Sequence, residues 1–434
     1  MRIAILVPEL LVQGGGDRQA VYLARELQEM GHDVTVFTPA YDRERCYPDA
    51  CSRLRIIVTG VHPLARLPLP SRRLKAYFNM LRLSKVLRGP FDIINPHHWP
   101  PHWAAAWAAR RMSPAPAVVW MCNDPPWAAI APSRGIRRLL WPLRVLSRTV
   151  FRYVDRTLVR RVTRIVVLSA YAKRLIDATY GVDCAVVRSG VDVDALAQAD
   201  ETRVAEMRRR YGAGDGAFLV LSLGILMPHR HLEDAIAGVA RVVAAGHDVR
   251  YVIAGSPDQY PEYAASLHRL TRDSGLDGRV TFAGAVPEEE LKLHYHACDA
   301  FLFPNENQTW ALAVAEAMAC GRPVVVSTGA AISETLTDNQ TALFVPPRDP
   351  EAIAVALTAL VEDEARRRKI GERGRRYVVE TLSWGRYARA MLDIFDESVT
   401  SLGHEGHRGP SLTTKAAPAA AASPVAGTKP ASRR

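Results

Sequence analysis

The chain has 434 residues, 48% hydrophobic and 23% charged, which excludes a disordered polymer and suits two domains with separate cores. A net charge of +11 biases it toward an anionic partner, although only seven of its 56 basic residues are Lys, an Arg excess that genome composition also produces. The six cysteines (46, 51, 122, 184, 298, 320) have no zinc-type spacing, and no run of about 18 apolar residues occurs. The opening MRIAILVPEL reads as a strand and not as a signal peptide, so a cytoplasmic protein with reduced thiols and no transmembrane helix is expected.

In chain order, RIAILVP predicts a buried strand, LLVQGGGDRQ a glycine-rich loop, AVYLARELQEMG a helix ending at Gly31, and DVTVFTP a second strand. This β-loop-α-β unit implies a parallel sheet. The alternation continues through FDIINPHH, AVVWMCN and RIVVLSAYAKRLIDATYG, and CAVVRSGVD closes the first half. The pattern restarts near residue 216 with AFLVLSLGIL, HLEDAIAGVARVVAAG, VRYVIAGS, EYAASLHRLTRDSG and RVTFAGAV. A helix from Glu288, the strand AFLFPN, the stretch NQTWALAVAEAMACGRPVVVS, TALFVPP and a helix over 350–362 complete it. The expected fold is α/β: two facing, doubly wound Rossmann-like domains, 1–188 and 189–382, with a cleft between them. A helix over 383–402 is expected to pack back as a clasp, and 403–434, without apolar periodicity, is expected to be a disordered tail.

Two stretches, 71–88 and 134–164, mix Arg with Leu, Trp and Phe at helical spacing. Such helices can lie on an anionic bilayer, making the membrane surface a candidate partner. The alternative is a core-facing helix with a solvated basic side, and Asp155 dilutes the basic character.

Candidate chemistry sits in the loops after the strands, where open α/β sheets bind ligands. Backbone N–H groups at Gly14, Gly15 and Gly16 can approach an anionic or hydroxylated ligand; a plain tight turn is the alternative, and the spacing is not the nicotinamide fingerprint G-x-G-x-x-G. In GILMPHRHLED, Arg230 precedes a helix and can hold a diphosphate through charge-assisted bonds, flanked by His229 and His231. A third junction opens a helix near Ala311 to Ala313, and Glu316, within about its first turn, can accept two hydroxyl hydrogen bonds, as from a ribose. Helix capping or dipole compensation is the alternative for Glu316.

Taken together, these segments resemble the retaining nucleotide-sugar glycosyltransferases of family four, with GT-B architecture. GGGDRQAVYLARELQEMGHDVTVFT is similar to the family's opening and VVRSGVDVDAL to its linker. VTFAGAV, PNENQTWALAVAEAMACGRPVVVS and ISETLTDNQTALFVPPRDPEAIA are similar to its nucleotide-binding half. The likeness runs to about residue 400. It implies a donor site of Gly14, Gly15, Gly16, Gly224, Arg230, Gly284, Ala285, Thr309, Trp310, Ala311, Leu312 and Glu316, with Arg230, Gln308, Asn123 and His98 at the reaction centre. Glu316 matches the family's ribose-binding Glu. Gln308 stands where a second Glu contacts the sugar, and its amide still offers an acceptor and a donor. Ile225 replaces a usual Arg, leaving Arg230, in the place of a usual Lys, with the diphosphate. Asn123 stands at a usual His and cannot act as an acid. His97 and His98 end a neighbouring strand, as contacts to acceptor or sugar, or as buried structural histidines.

The resemblance implies transfer of a hexosyl group, mannosyl or glucosyl, from a GDP- or UDP-linked sugar to a glycan or lipid-linked acceptor. No cofactor and no metal are expected beyond the nucleotide-diphosphate sugar, and nucleic acid finds no reading motif. The competing class is a non-catalytic GT-B-like protein that binds a nucleotide sugar or a partner without transfer, a reading on which Gln308, Ile225 and Asn123 bear. A sugar-nucleotide epimerase of the same architecture fits the motifs less closely.

Overall fold

A computed structural model describes residues 1–11, 14–67, 72–123, 141–214 and 216–404. The tail expected over 403–434 lies outside these residues from 405 onward, as do 134–140 of the second basic stretch.

The first half forms a seven-stranded parallel sheet: β1 Arg2–Leu6, β2 Asp33–Thr38, β3 Arg55–Val58, β4 Ile93–Pro96, β5 Ala117–Met121, β6 Arg164–Val167 and β7 Ala185–Val186. Its strand order is β3-β2-β1-β4-β5-β6-β7. The second half forms a six-stranded parallel sheet: β8 Phe218–Leu223, β9 Val249–Ala254, β10 Val280–Gly284, β11 Ala300–Phe303, β12 Val324–Ser327 and β13 Leu343–Val345, in the order β10-β9-β8-β11-β12-β13. Most of these strands are runs of Val, Ile, Leu, Ala and Phe buried along their length, as sheets covered on both faces require. Strand order reverses between β1 and β4 in one sheet and between β8 and β11 in the other. At such switch points the loops diverge to opposite faces and leave a crevice.

One apolar cluster runs continuously from Ile3 and Leu23 through Val191 and Trp384 to Phe301 and Val314, joining the two sheets through the chain crossings. The chain leaves the first domain near Val187 and returns near Ser383, where Val191 and Ser383 form a bridge and the Val191 N–H donates to the Leu382 carbonyl (2.8 Å). The helix Trp384–His404 then packs against the helix Gly15–Glu29 and β5. Gly190 lies so close to this return crossing that a Cβ would sit 2.3 Å from the Trp384 nitrogen. Backbone cannot yield as a flexible side chain does. Gly190→Ala is therefore expected to lower stability by about 1–3 kcal/mol, read as a fall in thermal midpoint.

The basic stretches place their apolar residues in the core. Met80 and Leu83 of the helix Arg72–Val86, and Leu158 and Val159 of the helix Trp141–Val159, are buried, while Arg152 and Arg156 are exposed. Asp155 is fully buried, and its carboxylate accepts hydrogen bonds from Trp99 Nε1 (3.0 Å), Trp103 Nε1 (2.7 Å) and Tyr180 OH (2.5 Å). His102 Nε2 lies 3.0 Å from the same group. The acid inside the basic stretch is thus a core hub, satisfied as a buried carboxylate must be. Among the described residues no helix is long and apolar enough to cross a membrane.

Candidate functional site

The second-domain wall is built at strand ends. β8, β9 and β10 each end at a glycine with positive φ: Gly224 (136°), Gly255 (157°) and Gly284 (71°). The Gly224 N–H donates to the Ala254 carbonyl (2.8 Å) and the Gly255 N–H to that of Gly284 (2.6 Å). At Gly224 a Cβ would meet the Arg230 guanidinium at 2.4 Å, and at Gly255 it would meet the Gly224 carbonyl at 2.0 Å. These close approaches seat Arg230 against bare backbone, as only glycine allows.

Arg230 lies in the short 3₁₀ turn Pro228–Arg230 and borders a recess shared with Ser222, Gly224, Phe303 and Asn305. Burial pushes its guanidinium down to about 10, still charged at neutral pH. Among the described residues no carboxylate pairs with it, and its Nε has no hydrogen-bond partner. Apart from a long contact from Nη1 to the Leu223 carbonyl (3.5 Å), this half-buried cation is uncompensated and favours an arriving anion. Beside it, His231, Glu233 and Asp234 bring ligand-type atoms within 4.8 Å, but His231 already faces Asp234 (3.3 Å) and Glu306 (3.2 Å). Ile225, at the usual Arg position, points outward and is 43% exposed.

Across the switch point from β8, the loop after β11 carries Gln308. Its backbone bridges Ala330, and its Oε1 lies 3.5 Å from Asn305 Nδ2, which links it to the wall of the Arg230 recess. Thr309, Trp310 and Ala311 are buried, and the Trp310 indole N–H is unpartnered. The helix Leu312–Ala319 follows an extended Ala311, so Glu316 is its fifth residue and lies past the first turn expected from sequence. It caps nothing. Tyr295 OH donates to Oε2 (2.7 Å) and the Arg18 guanidinium binds Oε1. Ala285, after Gly284, is exposed and leads to Glu288 at the start of the next helix.

The opposite wall comes from the first domain. A Cβ on Gly15, the first residue of the helix Gly15–Glu29, would lie 3.3 Å from Leu312, the first residue of the helix Leu312–Ala319. Two helix starts from opposite domains therefore converge, each with the positive end of its dipole at this spot. Gly14 caps the first helix with extended backbone, and its carbonyl accepts from Tyr47 OH (2.8 Å). At Gly16 a Cβ would fall 1.9 Å from His98 Cε1 and 3.0 Å from Asn123 Nδ2. His98 itself adopts a left-handed φ of 61°, with Nδ1 3.4 Å from Asn123 Nδ2 and Nε2 3.5 Å from Asp17. His98 Nε2 and Asn123 Oδ1 have no hydrogen-bond partner. His97 is core: it is fully buried, bonded to Asn95 Oδ1 (2.8 Å), and burial holds its pKa well below the ordinary value.

Gly16, His98 and Asn123 thus come together in the first domain, which meets the second where Gly15 approaches Leu312 and Arg18 binds Glu316, while Arg230 lines a recess that Gln308 adjoins through Asn305. Sequence reasoning missed Arg18, which ties the walls together, and Gly255, whose signal was a glycine ending a strand in the same way as Gly224 and Gly284. A further crossing joins Tyr171 OH to Asn307 Oδ1 (3.1 Å), and Glu334 accepts from the Ala170 N–H (2.9 Å) and Arg174 (3.0 Å).

Residues 204–377 match the family model described as "Glycosyl transferases group 1", and residues 13–195 match "Glycosyltransferase Family 4". Over 289 residues the chain is 28% identical to the GDP-mannose-dependent alpha-(1-6)-phosphatidylinositol monomannoside mannosyltransferase of Mycolicibacterium smegmatis, covering 61% of this chain and 72% of that protein. It is 27% identical to the D-inositol 3-phosphate glycosyltransferase of Kineococcus radiotolerans over 409 residues, 89% and 91% of the two chains. The structure of Anabaena Alr3699/HepE in complex with UDP-glucose superposes with a TM-score of 0.71 at 17% identity, over 93% of this chain and 100% of that one. WaaG, a glycosyltransferase involved in lipopolysaccharide biosynthesis, superposes at 0.66 and 17%, over 91% and 99%. At these identities the two structures speak to fold.

Proposed function

Since the chain belongs to the nucleotide-sugar glycosyltransferases of family four, with GT-B architecture, we propose that it moves a mannosyl or glucosyl group from a GDP- or UDP-linked sugar to a glycan or lipid-linked acceptor, with retention. The observation that carries this reading is Arg230: a half-buried guanidinium without a carboxylate partner among the described residues, pressed on Gly224 at the sheet's switch point. It suits a diphosphate leaving group. The relatives named for phosphatidylinositol mannoside and inositol phosphate support a lipid or polyol acceptor.

In this reading Glu316 takes the ribose hydroxyls, and Arg230 with the converging helix starts takes the diphosphate. Gln308 and, from the opposite wall, Asn123 and His98 orient the sugar by hydrogen bonds. The C1–O bond to the phosphate breaks while the acceptor oxygen bonds C1 from the same face, and the departing phosphate oxygen receives the acceptor proton. The protein contributes positioning, fixed charge and exclusion of water, and no protein nucleophile takes part. Arg230 and the helix starts fill the charge role that a metal serves elsewhere, so the proposal is metal-independent.

The test is release of nucleotide from a panel of nucleotide sugars in the presence of a membrane lipid extract. One donor should turn over with a matching glycosylated product. Nucleotide binding with no turnover on any donor would instead favour a non-catalytic binder, the reading on which Gln308, Ile225 and Asn123 bear. Exposed Arg152 and Arg156 support a peripheral position on an anionic membrane. Sedimentation with anionic vesicles, weakening as salt rises, is the expected result; no sedimentation at low salt would contradict it.

A further inference from the structure

We propose that Arg18 is an interdomain latch that occupies Glu316 in the free protein and must yield it to the donor's ribose. The inference rests on the donor-site reading of Glu316.

Arg18 projects from the first turn of the helix Gly15–Glu29, in the first domain, to two acids of the second. One guanidinium nitrogen binds Glu316 Oε1, and the other binds the Glu288 carboxylate, 2.6 Å from its Oε1. The remaining oxygen of Glu316 accepts from Tyr295 OH at 2.7 Å. Glu316 is 5% exposed and Tyr295 is fully buried, so neither oxygen is open to a ligand and Tyr295 has no room to withdraw. A ribose diol needs both carboxylate oxygens or the outer lobe of one, and of the two partners only Arg18 has a second acid to move to. Removing Arg18 from Glu316 does not strand its charge, because Glu288 is half-exposed and already shares it. The latch also touches the glycine loop: the Arg18 guanidinium lies 5.5 Å from the centre of the Tyr47 ring, and Tyr47 OH donates to the Gly14 carbonyl. Arrival of the ribose thus shifts Arg18 onto Glu288 and, with it, the support of the loop that faces the donor.

The test measures affinity for UDP, GDP and ADP by calorimetry, alongside interdomain distance by fluorescence transfer between labelled domains. Arg18→Gln should tighten binding of the preferred nucleotide about tenfold or more and broaden the domain separation of the free protein. Glu288→Gln removes the acid that keeps Arg18 when it leaves Glu316, so it should act in the opposite direction and weaken nucleotide binding. Weaker or unchanged nucleotide binding in folded Arg18→Gln, or tighter binding in folded Glu288→Gln, would overturn the latch. Failure of the donor-site reading looks different: Glu316→Gln would then bind every nucleotide as tightly as the parent protein does.

Discussion

Arg230→Ala is expected to lower kcat/KM for sugar transfer by about a thousandfold while leaving the thermal midpoint unchanged or raised. Charge that develops on the departing diphosphate is stabilised by fixed donors in a site shielded from water, and removing one such donor typically costs about 10²–10³ in rate. The expected rise in stability has a separate cause. Burial pushes the guanidinium down to about 10, and among the described residues no carboxylate offsets that cost. Its removal relieves the folded state of an ill-paired, half-buried cation. A purely structural arginine would show the opposite pattern, with lost stability and retained turnover. Arg230→Lys keeps the charge but loses the planar fork, so an intermediate loss is expected. Steady-state kinetics with thermal unfolding on the same preparations separates these outcomes, and activity within tenfold of the parent would remove Arg230 from the reaction.

The second large effect concerns Glu316→Gln, which should weaken nucleotide binding by about 10- to 100-fold, with the donor KM rising more than kcat falls. The amide keeps the shape of the carboxylate and can still accept from Tyr295 OH. It presents one acceptor oxygen in place of two charged ones, so a ribose diol loses its charge-assisted pair. The variant also releases Arg18, which favours binding, but a site without its carboxylate has little to offer the ribose. Titration of nucleotide into Glu316→Gln reads the net effect directly.

The sheet topology was legible because it depends on local pattern. Short runs such as RIAIL and FLVLSL, each followed by a glycine-bearing loop and an amphipathic helix, specify a parallel strand wherever they occur. Residues at strand ends were legible for the same reason: Gly224, Gly284 and Gln308 sit where the fold puts ligand-facing loops. Long-range electrostatics was not legible. Arg18 and Glu316 are 298 positions apart, and nothing around either one marks the other as its partner. Asp155 shows the converse failure. Its neighbours Arg152 and Arg156 are exposed, yet it is turned inward by Trp99, Trp103 and Tyr180, which come from two other segments. Glu316 combined both cases. Its place on a short apolar helix was readable, whereas its partners, and hence its lack of any capping role, were set by tertiary contact.

The most direct measurement compares the affinity of the preferred nucleoside diphosphate with that of its parent nucleoside, in the native protein and in Arg230→Gln. If the Arg230 guanidinium receives the diphosphate, the phosphates strengthen binding markedly in the native protein and that increment collapses in the variant, while nucleoside affinity stays the same. An increment of equal size in both proteins would contradict the assignment of this cleft as the donor site.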